Sequence, residues 1–266
     1  KPTVKWNGPV FEWVRIPELV RMAFREMWAG RPGPVHLEIP GPVLYATGDP
    51  ATAPSYPAES ARSSLPQASE SQLAAAADLL ANAKTPGIFA CTGVDRAQAN
   101  AALIGLAELL RCPVIPSMAG RSVMPHDHPL YFHSQSPAAD ELRRNADVML
   151  VVGSRVGNLD VPFDKYWGDP AKCRVIHVDV DPRHIGVSRP VAIGMVADAR
   201  AALEGLAAKL RGRKVASHGR TDVAAQRAVF GAWAKAIGDS VVGWQGPGIH
   251  PAQALGAVGA VFGRGA

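Results

Sequence analysis

Val148 to Val152, Val-Met-Leu-Val-Val, is followed at once by Gly153. Five apolar residues without polar alternation are too few for a helix and read as a strand covered on both faces. Such a strand belongs in a parallel α/β sheet. Arg174 to Val180 repeats the pattern and closes on Asp181-Pro182. Gly153 lets the chain turn at the strand's carboxyl end, the edge along which open α/β sheets bind ligands. Asp179 and Asp181, two residues apart, fall on one side of an extended chain at that edge. They suit a nucleotide's ribose hydroxyls, or they start a turn.

Around these strands, residues 70–212 alternate helical and strand patterns. Helices are expected at 73–83, 98–110, 137–145 and 199–210, and strands at 87–91, 113–117, 148–152, 174–180 and 192–196. Alternation with short connections predicts a doubly wound parallel sheet of five or six strands, with Rossmann-like right-handed crossovers. Residues 1–50 hold a helix from Ile16 to Ala29, with Pro17 in its first turn and Gly30 as its stop. A short strand follows at 35–39, and these two elements are too few for a core. This stretch therefore reads as the end of a domain whose remainder is missing. Residues 51–69, rich in Pro, Ala and Ser, form a linker. Residues 213–266 combine a second linker, a helix from Val223 and another helix opened by His250-Pro251.

The basic residues number 28 against 23 acidic ones and are scattered, which argues against nucleic-acid binding. Ser240 to Phe262 lacks charge, but Pro247, Pro251, Gln245, Gln253 and several glycines argue against a membrane span. Cys91, Cys112 and Cys173 have no CxxC spacing and read as buried, reduced thiols of a cytoplasmic protein. His126 and His128 flank Asp127, yet no third ligand stands at metal-binding spacing.

Four segments carry a family resemblance. Gly30-Arg31-Pro32-Gly33-Pro34-Val35-His36-Leu37-Glu38-Ile39-Pro40 resembles the end of the pyrimidine-binding domain of thiamine-diphosphate enzymes of the acetolactate synthase type. Pro125-His126-Asp127-His128-Pro129-Leu130-Tyr131, the run from Ala146 to Arg155, and Val175 to Pro182 are similar to that family's central domain. The resemblance implies a Mg²⁺-dependent transferase or lyase, a carboligase or decarboxylase of 2-keto acids, working as a homodimer or homotetramer. Its activating glutamate is expected before Lys1, and its Gly-Asp-Gly metal motif after Ala266. Gly48-Asp49-Pro50, Gly168-Asp169-Pro170 and Gly238-Asp239-Ser240 each fail that motif at the third position. The resemblance thus assigns no catalytic residue and no metal ligand here, and implies a 266-residue chain inactive by itself.

The resemblance also points to a site for FAD, ADP or CoA in the central domain. Thr92 and Gly93 follow the first central strand, where flavin-binding members carry a glycine-rich turn that this chain keeps only in part. Met118 and Gly120 match a loop near the flavin. Gly153 and Arg155 stand at the next strand end, Arg155 as a phosphate ligand or a surface ion pair. Asp179, Asp181 and Asp198 match positions facing the adenosine, or cap turns and helices; Asp198 precedes a helix and suits its N-cap. Phe132 to Pro137 replaces a further glycine-rich loop. Beside the enzyme reading stand two others: a nucleotide-binding module, and a structural domain with an empty site.

Overall fold

The computed structural model describes residues 3–57, 64–157, 167–213, 215 and 221–262. Parts of both expected linkers, residues 58–63, 214 and 216–220, lie outside the described residues.

The central sheet is built from β3 (Pro86–Ala90), β4 (Val114–Pro116), β5 (Val148–Val152), β6 (Arg174–Asp179) and β7 (Ile193–Val196). Its order is β4-β3-β5-β6-β7 and every pair is parallel. Helices α3 (Glu70–Asn82), α5 (Asn100–Leu110) and α7 (Ala199–Leu210) cover one face. Helix α6 (Pro137–Asn145) covers the other, with α8 (Val223–Val242) packed on it. The doubly wound α/β fold expected from the sequence is the fold observed.

The uniform apolarity of β3 and β5 follows from this layering. Ile88, Val148, Leu150 and Val152 point toward α3, α5 and α7. Phe89, Met149 and Val151 point toward α6, beside Phe132 and Trp167. All ten residues of the two strands are buried, and each fully buried Val, Leu or Ile contributes about 1.5–3 kcal/mol. Helix starts are set locally. Ser69 and Gln72 form a reciprocal capping box on α3, and Ser136 accepts the Ala139 N–H at 3.2 Å with Pro137 behind it.

The N-terminal stretch holds more than one helix and one strand. Trp6–Pro9 (β1) pairs in parallel with Val35–Glu38 (β2), and α1 (Ile16–Trp28) buries Leu19 and Ala23 near them. Glycine and proline inside a four-residue strand hide β1 from any propensity argument; its partner defines it. A turn of helix, α2, follows at Gly41–Leu44. At the other end, α9 (Pro251–Phe262) buries none of its residues, and no described helix is long and apolar enough to cross a membrane.

Candidate nucleotide cleft

The strand order fixes where a cleft opens. From β3 the chain winds outward to β4, then returns to β5 on the opposite side, so β3 and β5 flank the switch point. At their carboxyl ends the chains nearly touch. The Gly93 N–H donates to the Gly153 carbonyl at 3.1 Å, and a Cβ on Gly153 would lie 2.6 Å from the Gly93 Cα. Gly153 also needs its φ of +63°. Above this floor lies a cleft of about 1510 Å³, bounded on its far side by Met27 to Pro34 and Leu65.

Its lining carries both signs of charge. Arg31, Arg96 and Arg155 line the cleft, are exposed, and have no side-chain hydrogen bond or ion pair among the described residues. Arg96 belongs to a five-residue helix, α4 (Thr92–Arg96), that lies between the expected strand and the helix expected from Gln98, where the sequence predicts no element. Arg200 also lines the cleft, but its guanidinium donates to the carbonyls of Ala97 and Gln98 at 3.1 and 2.6 Å. The buried Asp179 supplies the opposite sign. Its Oδ1 accepts the Asp181 N–H at 2.9 Å and lies 3.1 Å from His184 Nδ1. Guanidiniums lining the same cleft as a carboxylate at the end of β6 can take a phosphate and a hydroxyl-bearing ring respectively.

Seven of the nine residues singled out from sequence line this cleft: Thr92, Gly93, Met118, Gly153, Arg155, Asp179 and Asp198. Asp198 is also the N-cap of α7, accepting the N–H groups of Arg200 and Ala201 at 3.0 and 3.1 Å. Gly120 and Asp181 stand outside the lining. Gly120 passes under the strand end, where a Cβ would sit 2.7 Å from the Cys91 Cα. The buried Asp181 carboxylate is engaged by the Arg183 guanidinium at 2.6 Å and caps the turn at Arg183 N. Phe132 is fully buried in the second core layer, against Phe230 of α8, and His133 stacks on Trp233. Sequence reasoning missed Arg31, Arg96, His184 and Ser188, because nothing local marks a residue that enters a site from another element.

The three near-motif aspartates have local duties. Asp49 and Asp169 accept the N–H groups of Ala51 and Ala171, both at 2.9 Å, and Asp239 pairs with Lys235 at 2.6 Å. Among the described residues no three His, Cys, Asp or Glu side chains gather as a metal set. Cys91, Cys112 and Cys173 are buried, and burial pushes the Cys173 thiol up to about 11.

His177, on β6, is buried, and burial lowers its pKa below the ordinary imidazole value despite its contact to the Ser154 carbonyl and the nearby Asp179. The unfolded chain therefore takes up a proton below about pH 6.5 that the native state refuses, and stability falls as pH falls through that point. Burial lowers His133 in the same direction. Asp181, held at about 2 chiefly by its Arg183 hydrogen bonds, titrates below this window. We expect the melting temperature to drop between about pH 7 and 5, with a shallower slope for His177→Gln. An equal slope in the variant would assign the dependence elsewhere.

The family described as "Thiamine pyrophosphate enzyme, central domain" matches residues 73–206. The chain belongs to that family. It is 32% identical over 222 residues to a protein of Methanocaldococcus jannaschii described as a probable acetolactate synthase large subunit, covering 79% of this chain and 36% of that one. It is 32% identical over 210 residues to glyoxylate carboligase of Escherichia coli O157:H7, covering 76% of this chain and 34% of the relative. Among solved structures, that of a Mycobacterium smegmatis protein described as thiamin diphosphate-dependent superposes with a TM-score of 0.65 at 27% identity, covering 79% of this chain and 40% of that one. The chain thus spans about a third of the length of the curated relatives it matches.

Proposed function

We propose that this chain is the nucleotide-fold portion of a thiamine-diphosphate-dependent carboligase or decarboxylase of 2-keto acids, and that its cleft holds an adenine nucleotide. The family membership and the relatives' described activities support the first part. Thiamine diphosphate supplies the electron sink when a 2-keto acid loses carbon dioxide, and that chemistry belongs to the cofactor. Its Mg²⁺ and diphosphate ligands are proposed to lie outside these residues, in a homo-oligomeric enzyme working in the cytoplasm.

The observation that carries the second part is the switch-point cleft with Arg31, Arg96 and Arg155 around it and Asp179 at the end of β6. In this reading the phosphates lie near Thr92, Gly93 and Arg155, and the adenosine near Asp179. An ADP-like or CoA-like ligand is favoured over FAD. Cys91 and Thr92 stand where flavin-binding members resemble one another in glycine, and a Cβ hinders backbone approach to a pyrophosphate. Phe132 in the core likewise leaves no glycine-rich loop there for the isoalloxazine.

Calorimetric titration of the chain with ADP, CoA and FAD tests this directly. We expect ADP or CoA to bind more tightly than FAD, and the purified protein to lack a flavin absorbance spectrum. Heat of binding from none of the three would overturn the nucleotide reading and leave a structural domain. Tighter binding by FAD would reverse the preference.

A further inference from the structure

Residues 153–157 hold Arg155 in an unusual backbone. Gly153 and Val156 both have left-handed φ angles, +63° and +53°. Glycine adopts that region freely, but a β-branched residue does not. At Val156 it persists only where the surroundings over-determine it. Val156 is also buried, in the core layer beneath α6.

The surroundings come from β6 and the segment after it. His177 Nε2 lies 2.7 Å from the Ser154 carbonyl oxygen. A carbonyl only accepts, so Nε2 carries the proton. Nδ1 is then the acceptor and faces the Gly186 N–H at 3.4 Å. On the far side of Arg155, the Ser188 hydroxyl donates to the Val156 carbonyl at 2.6 Å. The Val156 N–H is itself taken by Ser154 Oγ at 3.0 Å. Both neighbours of Arg155 are thereby tied by side chains distant in sequence, while the Arg155 side chain stays exposed along the cleft.

We propose that His177 and Ser188 are positioning residues that lock the 153–157 loop and so aim Arg155 at the anionic part of the bound nucleotide. The proposal rests on the nucleotide reading of the cleft. Its physical basis is preorganisation: a loop fixed before the ligand arrives forfeits less conformational freedom on binding. The strained Val156 supports it, since a loop needing only to connect β5 onward has no use for a valine in that region.

Two measurements test it. In the ligand-free chain, Ser188→Ala should accelerate amide exchange at Val156 at least about fivefold, the worth of roughly one hydrogen bond, while β5 amides stay unchanged. His177→Gln, whose amide can still donate to the Ser154 carbonyl, should exchange there more slowly than His177→Leu. In calorimetry, Ser188→Ala should weaken ADP binding about three- to tenfold, Ser188→Thr should restore it, and the loss should vanish in an Arg155→Ala background. Unchanged exchange at Val156 would overturn the clamp. An equal loss with Arg155 absent would make Ser188 a direct ligand contact and overturn its positioning role. ADP binding that depends on Arg155 but not on Ser188 or His177 would sink the proposal and leave the nucleotide reading intact. Where ADP gives no heat the same variants are titrated with CoA, and heat from none of ADP, CoA and FAD would sink that reading, and the aim of Arg155 with it, whatever the exchange shows of the clamp.

Discussion

Arg155→Ala is expected to weaken ADP binding about ten- to a hundredfold. Arg155 lines the cleft beside the Gly93–Gly153 contact and has no competing side-chain partner among the described residues. A charge-assisted hydrogen bond to a phosphate is worth about 1.5–3 kcal/mol, which converts to that range. Arg155→Lys should recover only part of the loss, because an ammonium keeps the charge without the planar fork. Titration calorimetry at fixed ionic strength reads both variants. Unchanged affinity in Arg155→Ala would remove this residue from the site. The remaining guanidiniums of Arg31 and Arg96 would keep the affinity salt-dependent in every variant, since exposed charges are screened.

Gly153→Ala is expected to cost about 2–5 kcal/mol of folding stability. Two penalties add: about 1–2 kcal/mol for a left-handed alanine, and about 1–3 kcal/mol for forcing atoms into a packed site. The new Cβ would lie 2.6 Å from the Gly93 Cα and 3.0 Å from the Val94 nitrogen. Both obstacles are backbone, held by the Gly93 N–H to Gly153 carbonyl bond, so neither yields as a side chain would. Urea unfolding with an unchanged slope measures the effect. Gly105→Ala provides the contrast. That glycine sits on the exposed side of α5 with nothing within 4 Å of an added Cβ, and alanine there should stabilise by up to about 1 kcal/mol. Equal effects at the two positions would deny Gly153 its special place at the switch point.

The elements whose signals are local were legible in full. Pro137–Asn145 and Ala199–Leu210 have the bounds read from sequence, because Ser136 and Asp198 cap them and both faces of the pattern repeat at helical spacing. Val148–Val152 was legible because a doubly covered strand is apolar at every position, and the strand from Arg174 because its β-branched run stops at Asp181-Pro182. The expected helix from Gln98 begins at Asn100, since Gln98 takes a left-handed φ between α4 and α5. β1 was not legible, because Trp6, Gly8 and Pro9 have no strand pattern until β2 pairs with them.

For the site, sequence reached the residues that end a strand or start a helix: Thr92, Gly93, Gly153, Arg155, Asp179 and Asp198. Short-range rules suffice there, since an apolar run must stop and the residue that stops it faces the sheet edge. What only the tertiary structure decided is which of those residues share one space, and what joins them from afar. Asp181 is two residues from Asp179 and of like chemistry, yet Arg183 engages it and Asp179 alone lines the cleft. Arg31 reaches the cleft from the first stretch of chain, and His177 and Ser188 fasten loop residues that lie 23 and 32 positions earlier. Periodicity and capping are encoded within a few residues. Convergence on a cleft depends on strand order, which is settled by how whole elements bury their faces together.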